Sequence, residues 1–229
     1  ANVGKNYAGT VGHIGCFSFF PTKNLGAFGQ GGLAVTGDPA LANRMRRLRE
    51  PIVHGEVESF TTNARLDALQ AAVLRTKLPH VAGWNEQRRQ VARHYDELFG
   101  SIREVTVPGP DSGHVYHQYV IRAEQRDELM RALHAADIES RVYYDHTLPQ
   151  LLGANGSWPN SEAATRKVLS LPLYPGLAEP ERRHVAAAVE AYYRGRPVES
   201  KPELIPVCSY RGIDLEGRGG YRCRHPRVH

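Results

Sequence analysis

The chain has 229 residues, 41% of them hydrophobic and 23% charged, with 29 basic and 24 acidic side chains for a net charge of +5. That balance supplies both a core and a polar surface, and no run approaches the ~18 consecutive apolar residues of a membrane span. Three cysteines (Cys16, Cys208, Cys223) are too few for a disulfide framework or a four-ligand zinc site, and Ala1–Asn6 has no secretory pattern, so a cytoplasmic protein is expected.

In chain order, Gly15–Phe20 is a short apolar run ended by Pro21 and reads as a buried strand, with Cys16 as a small buried hydrophobe. A glycine-rich stretch, Gly26–Gly32, leads to a second strand, Leu33–Thr36. Asp38-Pro39 gives an N-cap with proline at the first helical position. The helix it opens runs to about Arg49, with Leu41, Met45 and Leu48 on one face and arginines on a solvated one. Leu66, Leu69, Val73 and Leu74 fit helical spacing, and the pattern resumes past Pro79 through Trp84, Val91 and Tyr95. Two helices or one kinked helix fit equally well.

After Gly100 the composition shifts, and a domain boundary is placed there. Strands are expected over His114–Arg122 and Ile138–Tyr144, with a helix over Glu124–Ala136 between them. Further helices are expected near Ser161–Val168 and over Glu179–Tyr193. The alternation argues an α/β or α+β unit. From Arg194 onward eight basic residues face four acidic ones, so most of the net charge sits in a Gly-, Pro- and Arg-rich segment with little to fold it. It reads as a flexible basic tail. A nucleic-acid footprint belongs on a folded face, so nucleic acid is not an expected partner.

The segment Ser18-Phe19-Phe20-Pro21-Thr22-Lys23-Asn24-Leu25-Gly26 carries the most chemistry. Lys23 lies just beyond a strand, between a proline and a glycine-rich turn, where a lysine is held in place as a candidate nucleophile. Ser18 offers a hydroxyl suited to a phosphate oxygen, and Gly31-Gly32 lets the backbone approach a bound group. This segment resembles the fingerprint of the pyridoxal-phosphate sugar aminotransferases of the DegT/DnrJ/StrS type. There a Phe-Ser-Phe strand is followed by a Pro-x-Lys-Asn-Leu-Gly turn and a Gly-(acid)-Gly-Gly close. The resemblance continues through Thr62–Asp67, Gln70–Leu74, Trp84–Arg89, His117–Arg122 and Leu169–Pro175, in the family's order, and covers residues 4 to 193.

The resemblance implies an α/β chain that is a partial fold-type I PLP-dependent transferase. Residues 1–60 would be a remnant of the large cofactor-binding domain, 61–100 linking helices, 101–193 a small C-terminal α/β domain and 194–229 the basic tail. It implies that Lys23 carries pyridoxal 5'-phosphate as an internal aldimine and shuttles the substrate proton. Ser18 would bond the phosphate, and Asn63 would reach it from a neighbouring subunit, making a homodimer with shared active sites. Arg65 would meet the carboxylate of an amino-acid donor, glutamate in this family. His117, Tyr143, Tyr144 and His146 would flank a sugar-nucleotide cleft. Read alone, Asn63 is also a helix N-cap before Leu66, Tyr143 and Tyr144 fit core or strand positions, and the two histidines fit structural roles.

Three departures stand out. The family's N-terminal half, with the acid that pairs with the pyridinium nitrogen, has no counterpart here. Gln30 replaces the acid of the glycine close, and the tail resembles nothing in the family. A catalytically inactive remnant retaining interface surfaces is therefore the alternative, and low autonomous stability is expected for residues 1–60. A dehydratase of the family is disfavoured, because those enzymes place histidine where this chain has Lys23.

Overall fold

A computed structural model describes residues 1–50 and 62–197, together with the backbone of residues 209–210 and 221–222. The rest of the basic tail beyond residue 197 lies outside the described residues. The first half holds two antiparallel ribbons: β1 (Asn2–Val3) with β2 (Asn6–Tyr7), and β3 (Gly15–Ser18) with β4 (Gly32–Val35), in which Cys16 faces Ala34 and Ser18 faces Gly32. Helix α1 (Pro39–Arg49) starts as its sequence requires, with the Asp38 carboxylate accepting from the Ala40 and Leu41 N–H groups.

Helix α2 (Ala68–Lys77) and helix α3 (Val81–Phe99) are joined by a 3-10 turn at Leu78–His80, where Pro79 sits at a position that needs no N–H donor. The backbone is right-handed helical through Lys77, Leu78, His80 and Val81, so the path is one helical rod tightened at the proline.

The second half builds a three-stranded antiparallel sheet in the order β5 (Val105–Thr106), β6 (Tyr119–Ala123), β7 (Val168–Leu171). Helices α4 (Arg126–Ala135), α5 (Leu148–Leu151), α6 (Pro159–Lys167) and α7 (Glu179–Tyr193) complete it. A separate pairing joins β8 (Ser209–Tyr210) and β9 (Tyr221–Arg222). The core collects the inward face of β6 (Tyr119, Ile121, Ala123), Leu129 and Leu133 one turn apart on α4, and the small residues Ala186 and Ala188 with Val189 on α7. Helix α3 contributes Tyr95 and Phe99, whose rings lie 5.4 Å apart and against Tyr119. Tyr95 and Tyr119 keep their polar ends satisfied: one hydroxyl donates to the Pro172 carbonyl at 3.0 Å, the other to Asp96 at 2.6 Å. Among the described residues no helix is long and apolar enough to cross a membrane.

Four local expectations are corrected. Residues 138–144 form no strand; Arg141 makes one isolated bridge to Ser170, and the chain then leaves the sheet, so Tyr143 and Tyr144 are exposed rather than core. The sheet position is taken by β7, a run directly after α6 in which Val168 was expected to be helical. Val168 instead adopts extended backbone and caps that helix. The strand expected from His114 begins only at Tyr119, for a reason that lies in the site described below. Finally, β3 is not buried: Cys16 is exposed, and Phe17 is 39% exposed although its ring lies against Gly9.

Candidate functional site around Lys23

Beyond Ser18 the chain stays tied to the ribbon for one more residue. Phe19 N–H donates to the Gly31 carbonyl, and the Phe19 carbonyl accepts from Ala27 N–H, both at 2.8 Å. These bonds close the segment between Phe19 and Ala27 into a loop with Lys23 at its turn, where Lys23 N–H donates to Phe20 O at 2.9 Å. Gly26 is required at the closure: a Cβ there would lie 2.3 Å from the Pro21 carbonyl oxygen, a backbone atom that cannot step aside.

Helices α2 and α3 hold the loop from outside. Lys77 donates to Gly26 O at 2.8 Å and lies 4.6 Å over the Phe28 ring; Gln70 accepts from Phe28 N–H at 2.8 Å. The side-chain amide of Asn24, the residue after Lys23, donates to Asn85 Oδ1 at 2.8 Å and to the Val115 carbonyl at 3.0 Å. Lys23 is left half-buried on a turn tied at several points.

His117 belongs to the same neighbourhood. Its imidazole is pushed down to about 4, first by burial and then by the positive charges of Lys23 and Arg88. Its Nδ1 is buried with no hydrogen-bond partner, as is Asn24 Oδ1. Arg88, only 8% exposed, donates from Nη1 to the carbonyls of Tyr116 (3.1 Å), His117 (3.4 Å) and Leu173 (3.2 Å). Those bonds, with Tyr116 at φ 42°, draw residues 116 and 117 out of an extended path, which is why β6 starts late.

Of the other residues expected from sequence, Ser18 is exposed at the end of β3, its Oγ accepting from Phe20 N–H at 3.3 Å. Asn63 is not a helix cap, since Asp67 caps α2. It lies on a stretch tied to the end of α1 by Thr62 N–H to Leu48 O and Ala64 N–H to Arg49 O, both at 3.0 Å. Arg65 donates to Asn63 Oδ1 at 3.3 Å, so these two come together. Tyr143 and Tyr144 stack edge-on with ring centres 6.0 Å apart, and His146 meets Asp145 at 2.9 Å, all on the surface. Among the described residues no hydrogen bond, ion pair or ring contact joins Asn63, Arg65, Tyr143, Tyr144 or His146 to the Lys23 turn.

Sequence reasoning assigned no role to Asn24, Asn85, Arg88, Gln70 or Lys77. Asn85 and Arg88 carry a readable signal, the i, i+3 spacing of two polar residues on the face of α3 that also holds its apolar residues.

A model of the DegT/DnrJ/EryC1/StrS aminotransferase family matches residues 1–190. A dTDP-3-amino-3,4,6-trideoxy-alpha-D-glucose transaminase of Streptomyces venezuelae is 39% identical over 197 residues, which cover 80% of this chain and 51% of that protein. A pleiotropic regulatory protein of Geobacillus stearothermophilus is 39% identical over 213 residues, covering 84% of this chain and 56% of its own length. Among solved structures, a DegT DnrJ EryC1 StrS aminotransferase from Brucella abortus superposes with a TM-score of 0.74 at 34% identity, covering 80% of this chain and 52% of that one. The S. venezuelae DesV structure, a complex with a ketimine intermediate, gives 0.72 at 39% identity, with coverages of 79% and 52%. The chain spans about half the length of the curated relatives it matches.

Proposed function

The chain belongs to the DegT/DnrJ/EryC1/StrS aminotransferase family, and from that membership we propose that it binds pyridoxal 5'-phosphate at Lys23 and moves an amino group from glutamate to the keto group of a nucleotide-linked sugar. Its fold is a partial fold-type I transferase. The observation that carries the reading is the Lys23 turn, pinned by Asn24, Gly26 and Lys77, with the neutral imidazole of His117 beside it. Relatives whose names are sugar transaminases support the substrate class.

The residues fit the cofactor. A half-buried amine stands next to two buried polar atoms without partners, His117 Nδ1 and Asn24 Oδ1, and a hydroxyl stands at the strand end on the same loop. When bound, the cofactor supplies the electron sink that lets an amine be exchanged for a keto oxygen. Lys23 would hold the cofactor through Nζ, and the same atom would hold and move the substrate proton. Ser18 donates its hydroxyl hydrogen to the phosphate, and Asn63 of a second protomer reaches the same group, in a homodimer. Arg65 pairs with the donor carboxylate, while Tyr143, Tyr144 and His146 border the sugar nucleotide. In this reading residues 1–60 are the large-domain portion, 61–100 the linking helices, 101–193 the small domain and 194–229 a basic tail of a cytoplasmic enzyme.

The test is chemical. Borohydride reduction of the protein incubated with pyridoxal 5'-phosphate, followed by peptide mapping, is expected to leave the pyridoxyl group on Lys23 and to label nothing in Lys23→Ala. An adduct elsewhere, or none, overturns the reading.

A further inference from the structure

Arg88 is the least expected charge in the molecule. It is buried on α3, and among the described residues no carboxylate pairs with it. A buried guanidinium without a counter-ion is costly unless its donors are used well. Arg88 sets one terminal nitrogen, Nη1, against three carbonyl oxygens, two from Tyr116 and His117 and one from Leu173 just past β7, while its buried Nε has no hydrogen-bond partner. Tyr116 is held at φ 42°, a left-handed conformation that a side chain as large as tyrosine adopts only under outside constraint. Arg88 supplies part of that constraint.

Asn85, three residues earlier and on the same side of α3, receives the side-chain amide of Asn24 at 2.8 Å. The other acceptor of that amide is the Val115 carbonyl, one residue before the strained Tyr116. One helix face therefore grips both sides of a junction: the turn that carries Lys23 and the segment that carries His117.

We infer that Asn85 and Arg88 are positioning residues, a two-point clamp on α3 that seats the Lys23 turn and the His117 segment against each other. Asn85 sets where the amine stands, through Asn24, and Arg88 sets the backbone from which the imidazole projects. The chemical consequence rests on the reading of Lys23 given above. The clamp itself does not, so it is tested on the protein without cofactor.

Asn85→Ala changes no charge, so a move of the His117 imidazole midpoint in this variant reports a change in the imidazole's burial or in the placement of the cations beside it, and the part that vanishes when Lys23 is replaced belongs to Lys23. Followed by NMR titration, that midpoint is expected to rise by about half a pH unit. In a Lys23→Met background Asn85→Ala is expected to add nothing further. Amide exchange at Lys23 is expected to quicken about fivefold, the equivalent of one neutral hydrogen bond, while α7 amides keep their protection. Asn24→Ala removes the bond to Asn85 and the one to the Val115 carbonyl, so exchange at Lys23 should be at least as fast, and the double variant should be no faster than Asn24→Ala alone. Asn85→Asp, which keeps the acceptor oxygen, should restore slow exchange. Arg88→Met is expected to release the Tyr116 amide in the same way, with Arg88→Lys intermediate. A folded Asn85→Ala protein with an unmoved His117 midpoint and an unmoved Lys23 exchange rate overturns the clamp, as does acceleration spread equally over α7. If Arg88→Met does not fold, the Asn85 and Asn24 variants decide. Failure of borohydride labelling at Lys23 with these exchange results intact would remove the proposed activity and leave the clamp.

Discussion

His117 and Lys23 place opposite demands on the same small volume. The amine is cationic in water, and a cation beside a half-buried imidazole favours the imidazole's neutral form, which burial favours as well. The consequence for stability has a definite sign. The imidazole titrates near 6.5 in the unfolded chain and at about 4 in the folded one, so between those values the unfolded chain binds more protons. The contribution is complete above about 6.5 and is lost as pH falls toward about 4. Urea unfolding at pH 7 and near pH 5.5 is therefore expected to show lower stability at the lower pH, with the difference reduced in His117→Gln. The surface carboxylates of Glu86, Asp145 and Glu179 are held below their ordinary range by arginine or histidine neighbours and stay ionised in this window. Asp96, raised by burial, works in the opposite direction in both proteins and cancels from the comparison. Sequence alone brought His117 forward as a candidate without being able to place it. The cations beside it come from Lys23, roughly ninety residues away in the chain, and from Arg88 on α3, and no local pattern encodes those distances.

At the scale of elements, the lysine loop and the C-terminal core depend on different physics. The loop is fixed by close backbone approach and a few hydrogen bonds; the core is fixed by apolar burial. Gly26→Ala drives a Cβ against the Pro21 oxygen and must distort the turn, whereas Leu133→Ala empties a fully buried position on α4. The expectation is a split: Gly26→Ala loses borohydride labelling at Lys23 with little change in the unfolding midpoint, and Leu133→Ala costs about 3 kcal/mol of stability while labelling persists in the folded protein. Helix existence was legible from caps and apolar spacing, as for Asp38-Pro39 at α1 and Glu179–Tyr193 at α7. The exchange of residues 138–144 for 168–171 in the sheet has one cause. Residues 138–144 and 168–171 both have β-forming composition, and which of them pairs with β6 is a contest between segments settled by packing, not by either sequence.

Across the whole molecule, burial is uneven. The largest fully buried side chains all come from α3, α4, α7, β6 and β7, while the β3–β4 ribbon exposes Phe17 and Leu33 on its strands. Local opening should follow that distribution. Amide exchange is expected to be slowest in β6, β7 and α7 and fast in β3 and β4, measured by mass spectrometry on the intact chain; equal protection of the ribbon and the core would contradict it.

The sequence by itself carried the family and most of the helices, and offered Lys23 as the proposed reactive amine, because each is written in residues close together: a Pro-x-Lys-Asn-Leu-Gly turn, a cap, a periodic apolar face. Only the tertiary structure decided which strand completes the sheet, that Cys16 faces outward, and that Asn85 and Arg88 hold Lys23 to His117. Those outcomes depend on which surfaces meet, and hydrogen bonds between segments far apart along the chain form only after the core has brought them within reach.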